Sequence, residues 1–375
     1  MSSVRRVTEA LAAWKGSPVV DLLVGEPCFD TPEPLRDALA RAARCSAAAY
    51  GPMEGLAALR ELLARRARGE GLEIDADGVV ITHGAKGGLL ATLATLAGAG
   101  DEVVVPIPGY PGTRVIAAHL GATPVGVAET AAGLEGWSDA VIRRIGDRTR
   151  AVVVASPSNP SGSVLPTDDL LRLVDACALR GVRLVLDEAY GAFRFDGAAV
   201  APADGAPPTV VRIRSASKTW AVCGWRIGWV LADSELARRV ALTQAGLLNP
   251  AATPPQVALL ELDRVRATFL DDARAEVRQR LDGVRRTAAA LGLPSREPGG
   301  GFYAWLDARS RVRDEAAGDT VAWCVDRARC DGVALWPGDD FGSPGWVRAA
   351  VPRGDTWRDA LEDLERRTAA DRRSG

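Results

Sequence analysis

The chain has 375 residues, 47% of them hydrophobic and 25% charged, with a formal net charge of −2; this is enough for one large domain and a smaller one, with the composition of an ordinary globular protein. That balance supplies no basic face for nucleic acid or an anionic membrane surface, and the longest apolar stretch, Leu89 to Gly100, is well short of a membrane-crossing helix of roughly 20 residues. Arg5-Arg6 is followed by Thr8 and Glu9 in place of an apolar core, so no leader is expected and the protein is read as cytoplasmic; six cysteines without a Cys-x-x-Cys spacing and only two histidines, His83 and His119, argue against a metal site.

In chain order, residues 1 to 20 read as an arm, with a short amphipathic turn (Val7, Leu11, Trp14) before Gly16-Ser17-Pro18. Then comes Gly25-Glu26-Pro27-Cys28-Phe29-Asp30-Thr31-Pro32, a helix expected over Pro34 to Arg44, and Tyr50-Gly51-Pro52-Met53-Glu54-Gly55-Leu56. From Val79 to Leu231 short apolar strands alternate with helices. The strands are expected at Val79 to Thr82, Val103 to Val105, Pro124 to Val127, Ala151 to Ala155, Arg183 to Asp187, Val210 to Arg214 and Ile227 to Leu231. This rhythm predicts an α/β protein, a mainly parallel sheet with helices on both faces, and a ligand at the carboxyl ends of the strands.

Between the strands lie the polar motifs. His83-Gly84-Ala85-Lys86-Gly87 opens a helix whose first free N–H groups suit an anion, unless its glycines only assist the helix start. Pro106-Ile107-Pro108-Gly109-Tyr110-Pro111 and Ser158-Asn159-Pro160-Ser161-Gly162 each follow a strand, and Asp187-Glu188-Ala189-Tyr190 ends one. Thr167-Asp168-Asp169 is expected to cap a helix that stops at Gly181. After about Pro250 the character changes. A long helix (Phe269, Ala273, Val277, Leu281, Val284) leads to Pro298-Gly299-Gly300-Gly301-Phe302-Tyr303-Ala304-Trp305, Val333-Ala334-Leu335-Trp336-Pro337-Gly338 and Trp346-Val347-Arg348-Ala349-Ala350, and Ala369 to Gly375 reads as a solvated tail.

Only three of the 46 basic side chains are lysines: Lys15, Lys86 and Lys218. Arginine stays protonated and is a poor amine nucleophile, so nucleophilic amine chemistry falls to a lysine. Lys218 stands in Arg214-Ser215-Ala216-Ser217-Lys218-Thr219-Trp220, with Arg226 eight positions on. An amine among small hydroxyl residues suits an aldehyde cofactor that carries a phosphate: the amine forms the Schiff base, and Ser215, Ser217 and Arg226 hold the phosphate. Lys86 competes for the amine role, but a first-turn lysine is expected to project outward.

From about Val20 to about Pro352 these motifs, in this order, resemble those of the class I/II aminotransferases of the aspartate aminotransferase superfamily, which use pyridoxal 5'-phosphate (PLP) and share fold type I. The resemblance implies a large domain with a mainly parallel seven-stranded sheet plus a small α/β domain: residues 1–34 as arm and part of the small domain, 35–255 as the PLP-binding domain and 256–375 as the C-terminal small domain. It also implies the site. Lys218 holds the aldehyde; the Ala85 and Lys86 backbone joins Ser215, Ser217 and Arg226 on the phosphate; Tyr110 stacks on the ring; Asn159 and Tyr190 bond its phenolic oxygen; and Asp187 holds the protonated ring nitrogen. Arg348, with the Gly25 N–H and Asn159, grips the substrate carboxylate, and Tyr50 reaches the phosphate in a neighbouring subunit, which predicts a homodimer with shared sites.

The activity implied is transfer of an amino group between an L-α-amino acid and a 2-oxo acid; the alternative on the same fold is a PLP-dependent lyase, cyclase or oxidase. Cys28 stands where the family usually has an acid, and Asn249 is expected near the neighbouring site. Residues 243–250 contain no arginine, which weighs against aspartate or glutamate as the main donor.

Overall fold

The structure, a computed structural model, describes residues 3–16, 19–45, 49–197 and 209–374, with side chains described as far as residue 367 in the last helix. A two-residue strand, β1 (Val20–Asp21), precedes the main sheet. That sheet is built from β2 (Val79–Thr82), β3 (Glu102–Ile107), β4 (Thr123–Ala128), β5 (Thr149–Ala155), β6 (Arg183–Asp187), β7 (Val210–Ser215) and β8 (Gly228–Leu231), in the spatial order β2-β8-β7-β6-β5-β3-β4. Neighbours run parallel except at β8, which is antiparallel to both β2 and β7.

Central strands such as β5 and β6 are apolar on both sides because both faces of the sheet are covered. Successive side chains alternate between the faces. Val103, Val105, Val153 and Val185 pack with Leu89 and Leu93 of helix Gly84–Leu96 and with Val240 of helix Ser234–Leu248. Val104, Val152, Val154 and Leu184 pack on the other face with Trp137 and with Leu170, Leu173 and Val174 of helix Thr167–Leu179. Register sets Ala155 beside Asp187 and Asp187 beside Ile213, so the carboxyl ends of β5, β6 and β7 come level.

The remaining strands are β9 (Tyr303–Asp307), β10 (Val333–Ala334), β11 (Trp336–Pro337) and β12 (Trp346–Ala350). They form an antiparallel sheet β11-β12-β9 and a parallel pair β1-β10. One core joins Val7, Val20 and Leu22 to Val277 and Leu281 of helix Phe269–Ala290 and to Phe302, Leu306, Trp323 and Val347. Leu259 and Leu262 pack instead with Leu35, Leu59 and Ile81. The N-terminal segment therefore folds with the last third of the chain.

Several local expectations change. The amphipathic turn of the arm is a 10-residue helix, Ser3–Ala12, with Val7 and Ala10 buried; Ser17 and Pro18 lie outside the described residues. Thr167 is the first residue of its helix and not a cap; Pro166 holds the cap position without a side-chain bond. Asp169 turns inward, accepting from Ser138 Oγ and, at 2.9 Å, from the Gly136 N–H. The expected tail is largely helical, within Trp357–Ser374, and Gly375 lies outside the described residues. Among the described residues no helix is long and apolar enough to cross a membrane.

Candidate active site

The site begins where β7 ends. Ser215 Oγ accepts from the Ser217 N–H at 3.1 Å and caps the single helical turn Ala216–Thr219. Lys218 projects from that turn, and its Nζ donates to the Gly25 carbonyl at 2.6 Å, with Cys223 Sγ at 3.6 Å. Arg226 follows in the left-handed region at φ 55°, and its guanidinium donates to the Cys223 carbonyl at 3.0 Å and to Ser217 Oγ at 3.4 Å. It faces the start of helix Gly84–Leu96: a Cβ on Gly84, itself at φ +69°, would lie 2.6 Å from an Arg226 nitrogen. Glycine there lets the helix start and the guanidinium approach one another.

Two adjacent acids at the end of β6 have opposite fates. Burial pushes the Asp187 carboxyl up to about 6, opposed only by the Ala189 N–H at 3.0 Å; among the described residues no cation pairs with it. Burial also pushes Glu188 up, but Arg214 and Arg212 outweigh it and hold this carboxyl below its ordinary range, with Arg214 at 2.7 Å. Glu188 is thus neutralised in the frame, whereas Asp187 faces the cavity uncompensated.

Arg348, in the middle of β12, is only 2% exposed and has no carboxylate partner among the described residues. It donates to Asn159 Oδ1 at 2.9 Å and to the Leu23 carbonyl at 2.7 Å, while its Nε has no partner. Its guanidinium carbon lies 4.1 Å from the ring centre of Tyr303 and 4.3 Å from that of Trp336. Burial leaves the cation poorly solvated, which lowers its pKa and favours an incoming anion. The hydroxyls of Tyr190 and Tyr303 are hydrogen bonded to each other, and burial pushes the Tyr190 phenol well above its ordinary value.

These groups line one cavity of about 320 Å³. It brings together Gly25, Ala85, Lys86, Tyr110, Asn159, Asp187, Tyr190, Ser215, Ser217, Lys218, Arg226 and Arg348. Tyr110 precedes the first turn of helix Pro111–His119. Lys86 is exposed, as a first-turn lysine should be, but it turns over the cavity with its Nζ 5.7 Å from the Tyr110 ring centre. Three residues singled out in the sequence do not line it. Tyr50 is 84% exposed. Asn249 is exposed and closes helix Ser234–Leu248 at φ 60°. Cys28 packs against the core of the last third of the chain, where burial pushes its thiol up to about 11.

Seven lining residues had no site role in the sequence: Val24, Leu89, Ala155, Ala189, Cys223, Tyr303 and Trp336. Gly25, quoted for its backbone N–H, also makes room for Tyr303: a Cβ there would lie 2.2 Å from the Tyr303 hydroxyl.

Comparison with known proteins gives a consistent picture. The sequence profile of the family described as "Aminotransferase class I and II" matches residues 17–361. An aspartate/prephenate aminotransferase of Thermus thermophilus is 32% identical over 359 residues, covering 94% of this chain and 91% of that protein. A valine–pyruvate aminotransferase of Mycobacterium tuberculosis is 32% identical over 356 residues, covering 90% of this chain and 88% of that protein. The solved structure of aspartate aminotransferase from Thermus thermophilus with maleate superposes with a TM-score of 0.89 at 31% identity, covering 99% of this chain and 96% of that one.

Proposed function

Because this chain belongs to the class I and II aminotransferase family, we propose that the cavity beneath Arg348 is its active site, holds PLP through Lys218, and moves an amino group there between an L-α-amino acid and a 2-oxo acid. The chain is an aminotransferase, and PLP is the cofactor of its family; the residue roles are our reading. One observation carries that reading. Four cationic groups without carboxylate partners, Lys86, Lys218, Arg226 and Arg348, and one carboxylate without a cation, Asp187, face the same cavity among the described residues. An aldehyde phosphate with a basic ring nitrogen, followed by a carboxylate substrate, complements that pattern, with anions toward the cations and a protonated ring nitrogen toward Asp187.

PLP, when bound, supplies an aldehyde that takes up an amine and a conjugated ring that accepts electrons from Cα. Lys218 Nζ would be the amine that holds the aldehyde and, when free, the group placed to take the Cα proton and return it as general base and acid. Arg226, Ser215, Ser217 and the N–H groups of Ala85 and Lys86 hold the phosphate. Asp187 favours a protonated ring nitrogen, which in turn relieves the buried carboxylate. Tyr110 covers the ring face, and Asn159 and Tyr190 bond the phenolic oxygen. Arg348 binds the substrate carboxylate, with Gly25 and Asn159 beside it, so that orientation selects the Cα–H bond for cleavage. We further propose a homodimer in which Tyr50 serves the neighbouring site, and residues 1–34, 35–255 and 256–375 as arm with part of the small domain, large domain and small domain, except that Leu259 and Leu262 pack on the large-domain side of the second boundary.

The test is a half-reaction. PLP-loaded protein mixed with single L-amino acids and no oxo acid is expected to release one equivalent of 2-oxo acid per site and then stop, and Lys218→Ala to release none. Continuous oxo acid production, with ammonia or peroxide, would instead assign the cavity to lyase or oxidase chemistry.

A further inference from the structure

Arg348 lies between the rings of Tyr303 and Trp336, which both line the cavity. Tyr303 presents its ring face to the guanidinium at 4.1 Å and bonds the Tyr190 hydroxyl through its own. Both phenols are buried, at 3% and 7% exposed, and among the described residues neither hydroxyl has another protein partner. A phenol has one proton to give. If Tyr190 gives it to Tyr303, the Tyr190 oxygen can only accept from the cavity; if Tyr303 is the donor, the Tyr190 proton points into the cavity. A cation on the ring face draws electron density from Tyr303 and makes its hydroxyl the better donor, and chained hydrogen bonds strengthen one another. The second arrangement is therefore favoured.

We propose that Tyr303 is a positioning residue for the reaction: it directs the Tyr190 proton into the cavity and makes that bond's strength depend on whether a carboxylate occupies Arg348. The inference rests on the reading above, in which Tyr190 donates to the phenolic oxygen of PLP. With Arg348 unpaired, Tyr303 donates strongly, Tyr190 donates strongly in turn, and the phenolic oxygen is held as an anion. A carboxylate on Arg348 offsets the cation, weakens both donors and makes that oxygen more basic. Substrate arrival at one end of the cavity is thereby felt as higher proton affinity at the other.

The charged groups that act on the pair are Arg348 from β12 and Asp187 from β6; Tyr110 acts on Arg348, and Lys218, from the turn after β7, lines the same cavity. Burial is what most raises the Tyr190 phenol; Arg348 opposes and Asp187 adds. Tyr190 consequently stays a neutral donor. Asn159 accepts from Arg348 at 2.9 Å by a separate bond that Tyr303→Phe leaves in place.

The experiment is a pH titration of the visible absorption of the PLP-loaded protein, with and without saturating propionate, a carboxylate that has no amine. Wild type is expected to show a midpoint that rises when propionate binds. Tyr303→Phe keeps the ring on Arg348 but loses the hydroxyl. Its propionate-free midpoint should rise by about one pH unit, and the propionate-induced rise should fall by at least half. Tyr190→Phe should behave alike, and the double variant should match Tyr190→Phe alone. A wild-type midpoint and propionate response in Tyr303→Phe, or a further full shift from Tyr303→Phe in the Tyr190→Phe background, would overturn the proposal while leaving the cavity assignment intact. Failure of the wild-type protein to take up PLP would overturn both.

Discussion

At the scale of single residues, the sequence singled out groups whose chemistry is rare in this chain. Lys218 was recognisable because lysine is scarce here and small hydroxyl residues surround it. Asp187 was recognisable by its position at a strand end, but its uncompensated charge was not, because Glu188 beside it looks the same in one dimension and only the fold delivers Arg212 and Arg214 to one acid and not the other. Tyr303 and Trp336 were missed for a related reason: an aromatic in an apolar strand reads as core, and these two do pack, but against a buried cation. The Asp187 carboxyl rises from 3.8 to about 6 on burial, so the folded chain holds its proton more tightly than the unfolded one. Stability from the neutral form is fully present below about pH 4 and lost as the pH rises through about 6; above that the charge opposes the cofactor-free fold by up to about 3 kcal/mol. Cofactor-free Asp187→Asn should therefore resist urea better than wild type at pH 7.5, with the gap narrowing as the pH falls toward 4. A gap that does not change with pH would contradict the assignment.

At the scale of elements, all seven strands of the main sheet stand at the expected places, because a continuous run of branched apolar residues between turn signals has few other uses. Helix ends were less legible. Thr167 has the side chain of a cap, yet tertiary bonds decide the outcome: Asp169 is taken up by Ser138 and Gly136, and the helix starts without a side-chain cap. The helix Ser3–Ala12 looked like a turn because its apolar face has no partner until residues from the far end of the chain arrive. The start of helix Gly84–Leu96 offers a direct test of an element positioning a site. Gly84→Val should push the Arg226 guanidinium aside and strain a left-handed backbone by about 1–3 kcal/mol, weakening PLP binding at least tenfold. Gly98→Ala, with nothing within 4 Å of the added carbon, serves as the control. Equal PLP affinity in the two variants would remove Gly84 and Arg226 from the phosphate site.

At the scale of the whole molecule, the N-terminal segment and the last third of the chain enclose the cavity against the main sheet, with Gly25 and Arg348 on one side and Lys218 and Asp187 on the other. That closure was readable only through motif order, since contacts between residues some 190 to 325 positions apart leave no periodic trace. Tyr50 belongs to this scale as well. It is 84% exposed and lies outside the cavity of its own chain, as a residue serving a neighbour would be. If two chains share their sites, mixing inactive Lys218→Ala with inactive Tyr50→Ala subunits restores one intact site in each mixed dimer, or about a quarter of wild-type activity after random exchange. A mixture no more active than its components would exclude that sharing.

Everything proposed for the cavity depends on Lys218, and not Lys86, carrying the cofactor. Borohydride reduction of the PLP-loaded protein, which makes a bond between an amine and the cofactor permanent, followed by peptide mass mapping, tests it most directly. One cofactor mass per chain is expected, on the peptide containing Lys218. A label on the Lys86 peptide, or no label on a protein that has bound PLP, would contradict it.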